Sequence, residues 1–396
     1  MRNKAYKIKI FFLYLFVFSL GYEYWDPFGV RNIFTVTKLL GLLYFVFSLL
    51  DFKKNFSLSK NKKIVIIAFS VWLYLVLVSF VSATIYNGDI NLRFSFLQVI
   101  FLLLLVMNDI SNNPLVREKL FIFYIFGISL IAFFVQSGIG IERAEFSRLY
   151  FMGLNPNKLG NFSVFALLML FILVFEKNRL SNKKYFLLLL IPNLLMLIGL
   201  SGSRGAFVGL FLGVFSFFLL KKDSYKNKFI YFLIGGISIS IFLNYLNSFE
   251  VLQNRLQRTY EGGDTGERFE IWKNVLDIYL DYPIFGIGDA GYQYEMSNRF
   301  NEIIDPHNLF IYIMVYGGTV GIFLFLWFYI NLLKKAFLSW KINKSSIYLA
   351  LFFVVTFVNS KSGGIIDDKI TWVLYAYILT SFDYIGLKSN PREEKL

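Results

Sequence analysis

Polar residues in this chain collect in short connections between long apolar runs. Runs long enough to cross roughly 30 Å of hydrocarbon as helices occur about twelve times. Their approximate limits are 9–24, 33–50, 64–84, 93–108, 119–137, 160–175, 185–201, 205–220, 229–247, 307–333, 346–361 and 369–386. The pattern predicts an all-α, polytopic integral membrane protein with about twelve transmembrane helices, forming a single membrane domain over residues 1–396. Arg2, Lys4, Lys7 and Lys9 precede the first run, and Ser19-Leu20-Gly21 loosely resembles a cleavage site. Eleven further spans favour a retained first helix over a signal peptide. The chain shows no internal repeat, no low-complexity tract and no soluble domain of independent size.

The basic residues give the predicted helices a direction. With a cytoplasmic N-terminus, the clusters DFKKNFSLSKNKK, SNNPLVREK, EKNRLSNKK, KKDSYKNK and KKAFLSWKINK and the tail KSNPREEKL all fall on the cytoplasmic side. About 26 of the 40 basic residues then lie inside, and both termini are cytoplasmic. Two outer connections are longer than hairpins: IGIERAEFSRLYFMGLNPNKLG from Ile139, and roughly 248–306. In the second, Asp264 and Glu267 resemble a capping box that starts a helix near Thr265. Arg268, Ile271, Trp272, Val275, Ile278 and Tyr279 recur at helical spacing, which predicts a short amphipathic helix on the outer membrane surface. Pro283 ends it, and Gly286, Gly288 and Gly291 supply a flexible turn.

Composition narrows the chemistry. The 396 residues are 57% hydrophobic and include 48 phenylalanines, far more apolar than a soluble domain requires. There is no cysteine and one histidine, which excludes disulfides, thiolate metal sites and multi-histidine sites; an all-oxygen metal site stays open. Asp264, Asp289 and Asp305 could gather magnesium, but their spacing matches no metal loop, and no cofactor or metal is expected. The net charge of +14 is spread as bilayer orientation requires, which argues against nucleic acid as a partner.

Three constellations fall on the outer side. In SGSRGAF, Arg204 occupies a short hairpin with Ser203 and Gly205 beside it. It is either an arginine snorkelling to the interface or a phosphate-binding arginine, and small neighbours leave backbone N–H groups open to an anion. Arg268 and Trp272 lie one turn apart on one helix face. They are either a solvated face of an amphipathic helix or a guanidinium for phosphate beside an aromatic ring for a sugar or lipid chain. Arg143, Arg148 and Lys158 could add charge to the same anion site, partly offset by Glu142 and Glu145. The third is DPHN, where His307 opens an apolar run. It is either a hydrogen-bonded structural residue or a base oriented by Asp305, since imidazole, with a reference pKa of about 6.5, can take a proton at neutral pH.

These residues together resemble the bacterial O-antigen ligase and polymerase family. The resemblance rests on Ser203-Arg204-Gly205 after an apolar helix, Arg268 with Trp272, the PIFGIG turn, and His307-Asn308 followed by Gly318-Thr319-Val320-Gly321, with NPN at 155–157 also fitting. It covers about residues 140–335, including the outer loop 248–306; no single motif is specific, but their order and sidedness together are. It implies a multi-pass glycosyltransferase of the bacterial cytoplasmic membrane that works outside that membrane without a metal. The implied donor is an undecaprenyl-diphosphate-linked oligosaccharide and the acceptor another glycan or a lipid A core, among membrane lipids and other polysaccharide assembly proteins.

Breaking a sugar to diphosphate bond develops negative charge on the leaving group, which arginine can stabilise. The expected catalytic residues are therefore Arg204, Arg268 and His307, with Asp305 in support. Ser203, Gly205, Trp272, Asn308, Arg143 and Arg148 are expected to bind substrate. A repeat-unit polymerase is the first reading and an O-antigen ligase the alternative. A lipid-linked oligosaccharide flippase is the rival from another class; repeated halves and mid-membrane charge would favour it, whereas the distinctive polar groups here gather on one side.

Overall fold

The computed structural model describes residues 2–27, 29, 35–58, 62–143, 148–175, 182–230, 266–361 and 366–381, with isolated positions between 233 and 260. The described chain is mostly helical. In order, the helices are α1 (Arg2–Phe18), α2 (Val36–Leu49), α3 (Phe52–Asn55), α4 (Lys62–Tyr86), α5 (Phe94–Asn112), α6 (Pro114–Gln136) and α7 (Pro156–Phe175). They continue as α8 (Ile191–Ser201), α9 (Arg204–Leu220), α10 (Gly266–Asp281), α11 (Gly288–Phe300), α12 (Leu309–Asn343), α13 (Ile347–Asn359) and α14 (Lys369–Leu379). A short antiparallel hairpin pairs β1 (Ile141–Arg143) with β2 (Leu149–Phe151).

Among the described residues, seven helices are long and apolar enough to cross a membrane, and α2, α9, α13 and α14 are shorter apolar helices beside them. The full-length spans are thus fewer than the twelve expected from hydropathy. The expected span at 229–247 and the end of the one at 369–386 lie outside the described residues.

Local chemistry explains where helices begin. Asn113 accepts from Leu115 N just before Pro114, Ser203 Oγ accepts from Ala206 N, and Asn308 Oδ1 accepts from Phe310 N and Ile311 N. Each satisfies backbone N–H groups that a first turn leaves without partners. One contiguous apolar core joins most helices, with Leu13, Leu103, Ile128, Leu159, Leu194 and Leu332 fully buried in it.

Polar contacts define two ends. At one, Lys158 donates to Tyr24, Arg148 to Ser201, Arg93 to Asp289 and Arg268 to Lys361. At the other, Lys9 meets Asn55 and Asp109, Lys222 donates to Lys341, and Trp340 to Leu220.

The loop before His307 departs from expectation. It holds two helices, α10 and α11, and α10 does not lie as an amphipathic helix across the end of the bundle. Its apolar stripe descends along α12, so that Val275 and Ile278 are completely buried with Ile287 and Val315. At Gly318, helix α12 is broken, with φ 64° and ψ −165°. By helical rise the break lies about 14 Å below Leu309. The turn between α10 and α11 fits into it. Thr319 N donates to Pro283 O at 2.8 Å, Val320 N to Ile284 O at 3.1 Å, and Ile287 N to Val315 O at 3.0 Å. Tyr74 in α4 donates to both Phe285 O and Gly317 O. Non-helical backbone at membrane depth needs partners within the protein, and here each irregular segment supplies the other's. A Cβ on Gly318 would stand 2.4 Å from Ile284 O, so glycine is required there. The turn expected to be flexible is locked.

Candidate active site

Four consecutive residues, Asp305 to Asn308, lead into α12. Asn308 is the cap, and Asp305 Oδ1 accepts from His307 N at 2.6 Å. That closes a tight turn with His307 at φ 51°, a left-handed conformation uncommon for a side chain of this size. The imidazole Nδ1 lies 3.4 Å from Asp305 Oδ1, and the side chain is 48% exposed. Asp305 therefore holds the backbone of His307 firmly and its ring at close range. The imidazole stays open to an incoming group.

Trp272 and Arg268 share a face of α10, as expected. Trp272 Nε1 donates to Pro306 O at 2.8 Å, so the indole anchors the histidine turn. Its ring lies 5.4 Å from Lys361 Nζ, and Arg268 Nη1 donates to Lys361 O at 3.2 Å. Lys361 follows α13 and is a cation the sequence did not single out. Two positive side chains and one indole thus border the turn that carries His307.

Arg204 is the first residue of α9 and is partly exposed. Helix α9 packs along α13 with Gly209 beside Phe357, so Arg204 lies towards the Ser360–Lys361 end of α13, the same end that meets Arg268. Ser203 is buried and its hydroxyl caps α9; only its own Oγ approaches a Cβ placed at Gly205, at 4.0 Å. The turn is braced from the hairpin: Arg148 Nε donates to Ser201 O at 3.2 Å and Nη2 to Asn157 Oδ1 at 2.8 Å. Arg148 thus supports the Arg204 turn from behind. Arg143 pairs through its backbone with Leu149, and its side chain lies outside the described residues, as does Asp264.

A second group went unread in the sequence. Arg93, itself left-handed at φ 48°, donates through Nη2 to Asp289 Oδ2 at 2.8 Å and through Nη1 to the Tyr312 hydroxyl. Burial works to lower the pKa of this guanidinium, but Tyr312 and Asp289 outweigh it and hold it above the ordinary arginine value. Asp289 also accepts from Asn91 Nδ2 at 3.0 Å, so both of its carboxylate oxygens are engaged within the protein. Asn91, Arg93 and Tyr312 border a cavity of about 410 Å³ that reaches Glu23, Tyr24, Lys158, Asp305, Asn308 and Asp368. Burial pushes the Asp368 carboxyl above the usual range, against the nearby Lys158 charge and the bonds from Thr371. Positions so far apart in the chain share no spacing, so no motif could have announced this group.

Residues 186–326 match the family model described as O-antigen ligase. That segment contains Arg204, Arg268, Trp272, Asp305, His307 and Asn308. An uncharacterized protein of Haemophilus influenzae is 26% identical over 339 residues, covering 79% of each chain. The match at 186–326, set in a bundle of apolar helices, makes this segment similar to the O-antigen ligase family and supports a membrane enzyme of polysaccharide assembly.

Proposed function

We propose that this protein is a metal-independent glycosyltransferase that moves a glycan from undecaprenyl diphosphate to a glycan acceptor on the outer face of the cytoplasmic membrane. The repeat-unit polymerase is the preferred form. The observation that carries this reading is the pairing of Arg268 and Lys361 with the Trp272–Pro306–His307 turn, at the end of the bundle to which Arg204 belongs. Fixed cations stabilise charge that develops on a leaving diphosphate, and guanidinium matches phosphate oxygens two at a time. The exposed imidazole takes the proton of the attacking hydroxyl as the new glycosidic bond forms and the sugar to diphosphate bond breaks. Attack from the face opposite the diphosphate inverts the anomeric centre. The apparatus lies within residues 140–335, with the preceding helices as its scaffold.

The matching family model is described as O-antigen ligase, so transfer of finished polysaccharide to a lipid A core is the second reading. Deleting the gene and sizing the lipid-linked glycans separates them. Loss of a polymerase leaves single repeat units, whereas loss of a ligase leaves long chains on undecaprenyl diphosphate. Chelator should leave the rate of the purified enzyme unchanged; a rate restored only by added magnesium would remove the metal-independent mechanism. With both termini cytoplasmic, cysteine placed at Asn301 should react with an impermeant reagent in spheroplasts, while cysteine at Ser224 should not. The reverse pattern would invert the topology.

A further inference from the structure

The transfer scheme leaves the 410 Å³ cavity without a role, although Asp305 and Asn308 border both it and the His307 turn. Its size falls within the roughly 300–1,000 Å³ of small-molecule pockets. Asn308 is nine-tenths buried, and its Oδ1 accepts from Phe310 N and Ile311 N at 2.9 and 3.3 Å. Those bonds fix the amide, so the donors on Nδ2 face the other way and have no protein partner among the described residues. The Nδ2 donors open onto the cavity, where an acceptor from a ligand can meet them.

Charge says what that ligand is not. Glu23, Asp305, Asp367 and Asp368 border the cavity, against the cations Arg93 and Lys158. Both cations are engaged, Arg93 by Asp289 and Tyr312 and Lys158 by Tyr24 at 2.6 Å. Behind the wall, Asp289 and Lys369 add one charge of each sign, Lys369 being paired with Glu23. Among the described residues, and even with Asp368 left out, carboxylates outnumber cations. A carboxylate or phosphate entering this space meets uncompensated negative charge. A sugar hydroxyl, both donor and acceptor, pairs with carboxylates and with the Asn308 amide. Tyr24, Phe96 and Leu309 supply apolar parts of the lining.

We propose that this cavity is the acceptor subsite and that it takes an uncharged or amine-bearing terminal sugar while rejecting sugars that carry carboxylate or phosphate. The inference rests on the transfer reading, because His307 beside the cavity is what makes a bound hydroxyl an acceptor. It separates the two substrates by charge: diphosphate on the arginine side, neutral or cationic glycan on the carboxylate side.

The test measures binding to the full chain in nanodiscs, without donor, by saturation-transfer NMR and calorimetry. The probes are N,N′-diacetylchitobiose, chitobiose with free amines, and a disaccharide ending in glucuronic acid. The first two should bind, and the uronate at least roughly tenfold more weakly. Asp367→Arg should weaken chitobiose and strengthen the uronate. Equal or tighter binding of the uronate to the unsubstituted protein, or binding of no probe at millimolar concentration, would overturn the proposal. A transfer assay on the same preparation tells the two readings apart. Transfer to anionic and neutral acceptors alike would remove the selectivity and leave the transfer reading standing. Selective binding with no transfer from a lipid-linked donor would leave the selectivity standing and remove the transfer reading.

Discussion

The two ends of the bundle treat charge in opposite ways. At the end bearing the N-terminus, Lys9 and Asp109 are both buried, 2.5 Å apart, and Asn55 and Tyr44 complete their hydrogen bonds at 2.7 and 2.8 Å. That cluster is closed upon itself and ties α1, α2 and α5 together. At the other end, His307 is half exposed, Arg268 rests on a backbone carbonyl, and Lys361 lies over an indole ring. On the proposed mechanism, the contrast separates charge that serves folding from charge that serves a substrate. A buried ion pair with every bond internal has little left to offer a ligand, whereas Lys361, part-exposed over an indole ring, carries a charge that a ligand can reach.

Four predictions would break or sharpen that contrast, the largest first. His307→Ala should lower transfer about 10²–10⁴-fold, as removal of a general base does, with the protein still folded and abundant. His307→Gln keeps a hydrogen bond but not a base; full activity in that variant would make the histidine a positioning residue. Lys9→Met should do the opposite. It leaves Asp109 buried without its counter-ion and should cost about 3–5 kcal/mol in thermal unfolding, while transfer per folded molecule persists. Pairing it with Asp109→Leu should recover much of that loss. If Lys9→Met instead abolished turnover at normal stability, the closed cluster would belong to the mechanism.

Arg204→Ala and Arg268→Ala come next. Each should cost on the order of 2–4 kcal/mol of transition-state stabilisation, a rate factor of roughly thirty to a thousand, and lysine should rescue poorly. Near-normal rates in both alanine variants would return these residues to ordinary interfacial arginines. The smallest effect belongs to Trp272→Phe, which keeps a ring near Lys361 but loses the bond to Pro306 O. A net loss of about 0.5–1.5 kcal/mol is expected, read as a modest fall in turnover. No change in kcat would show that the bond does not position His307.

Legibility in the sequence followed physical range. Apolar runs locate helices because a span must satisfy its backbone within itself, so α4, α5 and α7 were readable to within several residues, whereas α12 continues to Asn343, well past the expected end at 333. Arg268 and Trp272 were readable as a pair because one helical turn fixes their common face. What pairing across the fold decides was not readable. Lys9 looked like one of four basic residues ahead of the first helix, and only its partner a hundred positions away makes it a buried ion. The stripe on α10 signalled burial but not against what. An amphipathic helix on a membrane and one packed along a neighbour have the same periodicity, and contact with the broken backbone at Gly318 decided between them. Arg93, Asp289 and Tyr312 stayed hidden for the same reason, each ordinary in its own surroundings.

The lock at Gly318 also constrains movement. Arg268 and Trp272 are carried by α10, His307 opens α12, and these two helices are joined at the top by the Trp272–Pro306 bond and at depth by the Pro283–Ile287 turn. Fastened at two heights, they form one stiff body. Arg204 stands on α9, which packs with α13 in a different pair. Helix α13 in turn packs on α12, and its end meets Arg268 and Trp272, so Arg204 is tied to the same body through α13. On the proposed mechanism, a lipid carrier would meet Arg268, Trp272 and His307 already at fixed spacing.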